Sequence, residues 1–588
     1  MPHEIVLVST RAVLTLPDGS LLLTPATLTV STQTGKITSI TPAVLPPSSF
    51  PPGTPYTDYS PHLLLPGLVD AHVHLNEPGR TEWEGFDTGT RAAAVGGVTT
   101  VVDMPLNAIP PTTTMDGFRS KLAAAEGQCW VDVAFYGGVI PGNQDELLPM
   151  VEAGVRGFKC FMINSGVEEF PAVSGEDIEI AMDVLKDAPT TLMFHAEKDC
   201  HAHSDEDELS VAQSTSYNSF LKSRPSSFET SAISEILSRA HLAPGLQLHI
   251  VHLSATECIP MLREARAAGV KITAETCFHY LELKSEDIPD GDTRHKCCPP
   301  IREGKNQEAL WSELARPDSC IRTVVSDHSP CTPELKILPT KLKRPADSVD
   351  SGFNSPRVQE EPLASRDAET AIPKILQKPE PLGSPDSGID MPSPALNASA
   401  APPVTSSSRI TLPTSKLQKP LATTLATPDS GIGMTPMETT PNIEKNVPDL
   451  GKVTAELTMP GDFMAAWGGI ASVGLGLPIL HTASKLRGLS ILDIVRLCCQ
   501  ATAEQVGLSH RKGGLKVGMD ADICVFDDSE EWTLTPGEMK WKNKCSPWEG
   551  RKFLGRVKET WVGGRKVWDG KEMVGRPLGE LILEKRFA

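Results

Sequence analysis

Eight short apolar runs, rich in β-branched residues and alternating with stretches of helical periodicity, constrain this chain more than any other feature. They are LVDAHVH, VTTVVDM, VDVAFYG, GFKCFM, TLMFHAE, LHIVHLS, KITAETCFHYL and IRTVVSDH. Near-continuous apolar strands are buried on both faces, as parallel strands covered by helices are. The intervening patterns SAISEILSRA (231–240) and IPMLREARAAG (259–269) supply such helices. Eight strand–helix units predict an α/β fold, a (β/α)8 barrel of the TIM type, in which active sites sit at the C-terminal ends of the strands.

The flanks read differently. Residues 1–65 hold the strand candidates EIVLVSTRAVL, LLLTPATLTV and GKITSITPAVL, and residues 508–588 hold GLKVGMDADICVFD, EEWTLT and VKETWVGGRKVWDG. Together they predict one small β-sandwich assembled from both chain ends. Between residues 338 and 450 aromatics nearly vanish and Pro, Ser and Thr dominate. Such a segment buries too little apolar area to offset its chain entropy, so it is expected to be a disordered insertion. DSG recurs there at 350, 386 and 429, too irregularly for a solenoid repeat. The expected order is therefore sandwich (1–65), barrel (66–337), insertion (338–450), barrel continuation (451–507) and sandwich (508–588).

A formal net charge of -19 over 588 residues, with no basic cluster, argues against a nucleic-acid partner. No run reaches the roughly 18 apolar residues of a membrane span, and the first residues lack the charged-then-apolar pattern of a signal peptide. Thirteen cysteines without framework spacing fit reduced thiols. The expectation is a cytoplasmic protein. The glycines of AVGGVTT and GVRGF read as tight turns before strands, and no phosphate cradle or nucleotide cofactor is implied.

The chemistry lies where the runs stop. His72 and His74 are two residues apart on one strand and so point to the same side. Alone, a His-x-His pair is weak evidence, and His201 and His203 in the loop KDCHAHSDEDE read as a solvated pair. His72 and His74 do not stand alone: Lys159, His195, His252 and Asp327 each sit at the end of another run. His279, midway along KITAETCFHYL, reads as a packed or supporting histidine. Lys159 is the anomaly, because an ammonium on an apolar strand beside a cation meets both desolvation and repulsion.

At these residues the chain resembles the cyclic amidohydrolases of the amidohydrolase superfamily, which include allantoinases, dihydropyrimidinases or hydantoinases, and dihydroorotases. The resemblance spans nearly all of the chain outside the insertion. It implies that Lys159 is carboxylated and bridges two metal ions, with His72, His74 and Asp327 on the buried ion and His195 and His252 on the more exposed one. Imidazole and carboxylate donors suit zinc, so two zinc ions per subunit are expected, with other divalent metals allowed. The resemblance further implies that Asp327 shuttles the proton as water opens a ring amide, and that the assembly is a homotetramer.

Which ring is read from departures within the family. Where dihydroorotases carry an arginine that pairs with the substrate carboxylate, this chain has Asn76, which disfavours dihydroorotate. The blocks HLNEPGRTEWEGFDTGTRAAAVGGVTTVVDMPLN (74–107), GFKCFM (157–162), KCCPPIR (296–302), SDHSPC (326–331) and GDFMAAWGGI (461–470) look most like the allantoinase branch. The small-molecule substrate so implied is allantoin, hydrolysed to allantoate in purine catabolism. Asn76, Asn107, Cys298 and His328 are the candidate substrate contacts. Cys298 stands where relatives usually carry serine. A broader dihydropyrimidinase or hydantoinase is the alternative enzyme. A non-catalytic scaffold relative is the alternative from another class, and the complete ligand set disfavours it.

Overall fold

The computed structural model describes residues 3–200, 211–339 and 460–586. All but the first two residues of the 338–450 segment, and the His201/His203 pair, lie outside the described residues.

Each of the eight apolar runs contains a strand, named here β1 (Leu68–Val73), β2 (Val98–Asp103), β3 (Asp132–Phe135), β4 (Phe158–Phe161), β5 (Thr191–His195), β6 (Gln247–Ile250), β7 (Ile272–Cys277) and β8 (Ile321–Val325). They pair in parallel and in chain order. β1, β2 and β3 form one sheet, while β4 to β8 form a second that begins with the two-residue strand Gly137–Gly138. The run 132–138 belongs to both sheets, since Tyr136 N–H donates to Asp103 O at 3.0 Å and Gly137 N–H to Gly157 O at 2.9 Å. At the other seam, Val73 and His328 form an isolated parallel bridge, and His74 N–H donates to His328 O at 2.8 Å. There Asp70 Oδ1 accepts from Ser326 N–H at 3.2 Å, joining the ends of β1 and β8.

Helices follow the strands because the sequence gives each an apolar stripe. In Ser226–Arg239 the buried Phe228, Ala232, Ile233 and Ile236 recur at helical spacing and face the strands. Ser174 and Ser490 open their helices with capping boxes closed by Asp177 and Asp493. The sequence pattern overruns in one place: the run KITAETCFHYL stops being a strand at Cys277, and Phe278–Glu282 is a short helix. His279 therefore lies beyond the strand end, not midway along a strand.

Both chain ends contribute to one eight-stranded sheet. Glu4–Thr15, Leu21–Ser31, Ile37–Thr41, Tyr56–Asp58 and Leu63–Pro66 come from the front, and Ile523–Thr533, Lys552–Val562 and Arg565–Trp568 from the back. The junction is Leu63–Pro66 against Ile523–Phe526, antiparallel. EEWTLT is not a separate strand. Its first residues continue Ile523–Thr533 past an irregularity between Asp527 and Glu531. The pairing path is unbroken, and the sheet encloses its own small core of Leu7, Leu28, Val30, Leu64, Leu515 and Ile523.

This sheet is tied to β3 by charge. The Lys512 side chain is fully buried and its Nζ meets Asp522 Oδ2 at 2.7 Å, Asp520 Oδ2 at 2.9 Å and also Asp132 at the start of β3. Three carboxylates crowded out of water need a cation, and the ammonium fills that place. Removing one partner from such a cluster strands the remaining charges. Lys512→Met is expected to lower unfolding free energy by about 3–5 kcal/mol in denaturant titration.

Candidate metal centre

His72 and His74 lie at the end of β1 on one side, and four other strand ends, those of β4, β5, β6 and β8, deliver Lys159, His195, His252 and Asp327 to the same place. His72 Nε2 lies 3.2 Å from Asp327 Oδ1 and 3.2 Å from Lys159 Nζ, and His74 Nε2 lies 3.5 Å from Asp327 Oδ1. His195 Nδ1 faces His252 Nε2 at 3.0 Å, and the His72 and His252 rings are 5.4 Å apart. Donor atoms of His72, His74 and Asp327 all fall within 4.8 Å of one another. All six side chains are buried; Asp327, at 7%, is the most exposed residue.

Electrostatics explain why this arrangement suits a cation. Burial holds His74 down to about 3 and pushes His195 and His252 well below the ordinary histidine value, with Lys159 adding repulsion. Burial also lowers Lys159 itself. For His72, burial and Lys159 act downward, but the carboxylates of Asp327 and Glu275 outweigh them and raise it. Asp327 stays ionised despite burial, held well below the usual carboxylate range chiefly by His72 and His74. The rings of His74, His195 and His252 are thus held toward the form in which a ring nitrogen offers a lone pair. The donor set fits divalent ions carried by imidazole and carboxylate ligands.

The chain brings supporting groups that sequence reading missed. Glu275, in β7, accepts from His72 Nδ1 at 2.5 Å and lies 3.1 Å from His249 Nε2 and 3.2 Å from Gln505 Nε2. Glu197 lies 2.8 Å from His195 Nε2 and takes a hydrogen bond from Arg224 at 2.5 Å. Each carboxylate fixes which ring nitrogen is left to point inward. A charged residue inside the apolar run ITAETC carried the same signal as Lys159 and was legible on the same grounds.

Backbone strain marks the site. Five non-glycine residues adopt positive φ among the described residues, and four of them are Asn76 (63°), Asn107 (70°), His252 (39°) and Asp327 (44°). Each such conformation costs of order 1–3 kcal/mol and persists only where the surroundings enforce it.

The four candidate substrate contacts divide. Asn76 is buried, and its Oδ1 has no hydrogen-bond partner among the described residues, while its Nδ2 donates to Pro330 O at 3.3 Å. Asn107 sits 3.4 Å from His74 Nδ1 and its backbone oxygen accepts from Arg80, so its amide braces a candidate ligand. Cys298 is half-buried, among the charges of Arg224, Glu197 and Lys296. His328 departs from expectation. Its Nδ1 accepts from Ser472 N–H at 3.1 Å and Val473 N–H at 3.2 Å, and its Nε2 lies 3.3 Å from buried Glu84. With both ring nitrogens engaged, His328 ties the end of β8 to residues 472–473 and is not free to meet a substrate.

All thirteen cysteines are unpaired thiols, in line with the sequence expectation. Among the described residues, no helix is long and apolar enough to cross a membrane.

Glu275→Gln weakens the anchor on His72 without changing its size. Affinity for an added divalent ion, measured by competition with a chelator, is expected to fall by about 10–100-fold, and Glu197→Gln to act likewise through His195.

Comparison with known proteins identifies the family. Residues 63–318 match one model of the amidohydrolase family, and residues 463–568 match a second model of that family. The chain is 40% identical to an allantoinase of Saccharomyces cerevisiae over 573 residues, covering 96% of each protein. It is 40% identical to an allantoinase of Arabidopsis thaliana, covering 99% of this chain and 92% of the relative. Among solved structures, an L-hydantoinase from Arthrobacter aurescens superposes with a TM-score of 0.69 at 22% identity, covering 98% of this chain and 99% of that one. A dihydropyrimidinase from Brevibacillus agri gives 0.68 at 21% identity, covering 100% and 99%. The chain belongs to the amidohydrolase family and is a hydrolase acting on cyclic amides.

Proposed function

We propose that the protein is an allantoinase, hydrolysing the hydantoin ring of allantoin to allantoate within purine catabolism. The observation that carries this reading is the convergence of His72, His74, Lys159, His195, His252 and Asp327 on one buried point, in a chain whose full-length relatives include proteins named allantoinase. In this reading the two parallel sheets close as a (β/α)8 barrel, and the site occupies the C-terminal ends of its strands.

The residues would hold two divalent ions, most suitably zinc: His72, His74 and Asp327 on one, His195 and His252 on the other, and a carboxylated Lys159 on both. Bound there, the ions would lower the pKa of water and polarise an amide carbonyl. Carboxylation requires a neutral amine as nucleophile, and the downward shift of Lys159 by burial favours that form.

The rest of the chemistry belongs to the side chains. Asp327, kept ionised, takes a proton as water adds to the ring carbonyl and returns it to the departing ring nitrogen. The C–N bond breaks, and the product is a ring-opened carboxylate. Asn76, with its unsatisfied Oδ1, accepts from a ring N–H, and Cys298 borders the ring on the side of Arg224. Asn107 acts through His74 by keeping that ring oriented.

The family resemblance also supports a homotetramer, and unpaired thiols support a reducing compartment such as the cytoplasm.

Zinc-loaded protein incubated with allantoin is expected to release allantoate and to contain about two ions per chain. Lys159→Ala is expected to lose most of its second-ion zinc and at least about 100-fold in turnover, with partial rescue by added short-chain carboxylic acid. Opening of dihydrouracil without allantoin would instead favour the dihydropyrimidinase reading, and a chain without metal or turnover would favour a scaffold.

A further inference from the structure

One buried side chain in the site has no task in the chemistry described above. His279 lies two residues past β7, in the short helix Phe278–Glu282, and is 0% exposed. Neither of its ring nitrogens has a hydrogen-bond partner among the described residues. A buried imidazole is ordinarily satisfied, because leaving a polar group dry and unpaired forfeits its hydration without return. A buried imidazole without a protein partner beside a reaction centre points to a ligand that completes it.

The neighbours say which part of the site it serves. A ring nitrogen of His279, a carboxylate oxygen of Asp327 and the Cys277 thiol lie within 4.8 Å of one another, yet His279 makes no hydrogen bond to either. From β1, Asn76 Oδ1 is also buried and unsatisfied. Besides Glu197 Oε1 and His252 Nδ1, which belong to the candidate metal centre and its support, the site thus holds unused hydrogen-bonding capacity at one acceptor on Asn76 and two ring nitrogens on His279. A neutral imidazole offers one N–H donor and one nitrogen acceptor.

A cyclic ureide presents a complementary edge, in which ring N–H donors alternate with carbonyl acceptors. We propose that His279 is a substrate-contacting residue that hydrogen-bonds the polar rim of the cyclic ureide and selects for it, together with Asn76. This assignment rests on the cyclic-amide reading of the site and adds to it a specificity contact on the seventh strand end. It also accounts for a histidine at a point where packing alone would be served by an apolar side chain.

The test compares zinc-loaded full-length wild type, His279→Phe and His279→Gln on allantoin, hydantoin and dihydrouracil, with zinc content and thermal unfolding recorded for each. On whichever ring the wild type opens, His279→Phe is expected to raise KM about tenfold or more while zinc content stays equal to wild type. His279→Gln keeps a donor and an acceptor and is expected to recover most of that loss. An unchanged KM in His279→Phe, with the wild type active, overturns the assignment alone and leaves the hydrolase reading intact. Loss of a zinc ion in His279→Phe makes the residue a metal ligand and overturns it. An equal drop in thermal stability in both variants, without rescue of KM by glutamine, makes it a packing residue and overturns it. A zinc-loaded wild type that opens none of the three rings overturns both readings.

Discussion

The constraint on which the rest of this structure depends is desolvation at one end of the parallel strands. Four imidazoles, an amine and a carboxylate are packed within a few ångströms of each other with almost no water. In that environment the imidazoles of His74, His195 and His252 and the amine of Lys159 all shift toward neutrality, while Asp327 remains charged. Imidazole lone pairs and one carboxylate converging there form a donor set that suits a divalent cation. The surrounding carboxylates follow the same logic: Glu275 and Glu197 anchor the outer nitrogens of His72 and His195, which keeps the inner nitrogens in place.

Holding that cluster requires a stiff frame, and the backbone records the demand. Asn76, Asn107, His252 and Asp327 occupy left-handed conformations that a free chain would leave at once. The frame includes the seam between β1 and β8, where Asp70, Ser326 and His328 bond across, and the sheet built from both chain ends. Lys512 locks that sheet to β3 through Asp132 and Asp522. Residues over 350 positions apart in sequence therefore brace one site, and the stability of the frame is coupled to the precision of the centre. His328 is an instance: placed beside Asp327, it serves the frame through Glu84 and the backbone of residues 472–473.

Much of the candidate centre was legible in the sequence because polar residues at the ends of apolar runs violate the hydrophobic pattern. His72, His74, Lys159, His195, His252 and Asp327 are conspicuous for that reason. Glu275 breaks the same pattern inside its run, and its histidine partner His72 lies 203 positions away. His328 stands next to Asp327 in SDHSPC, and Asn107 is a candidate substrate contact by family resemblance. Their actual partners, Glu84 with residues 472–473 and His74 with Arg80, are long-range and leave no local trace. The ending of β7 at Cys277 was obscured because Phe278, Tyr280 and Leu281 are as apolar in a helix turn as in a strand.

The sequence by itself determined the alternation of strand and helix, the two flanks that read as β structure, and which side chains terminate the apolar runs, because these follow from local periodicity and from the cost of burying charge. Tertiary structure alone decided which of those ends meet, which nitrogen of each histidine faces inward, that the two flanks join through Leu63–Pro66 against Ile523–Phe526, and that His279 is left unpartnered near Asp327. Those outcomes depend on distances between residues remote in sequence, and no local pattern encodes a distance across a fold.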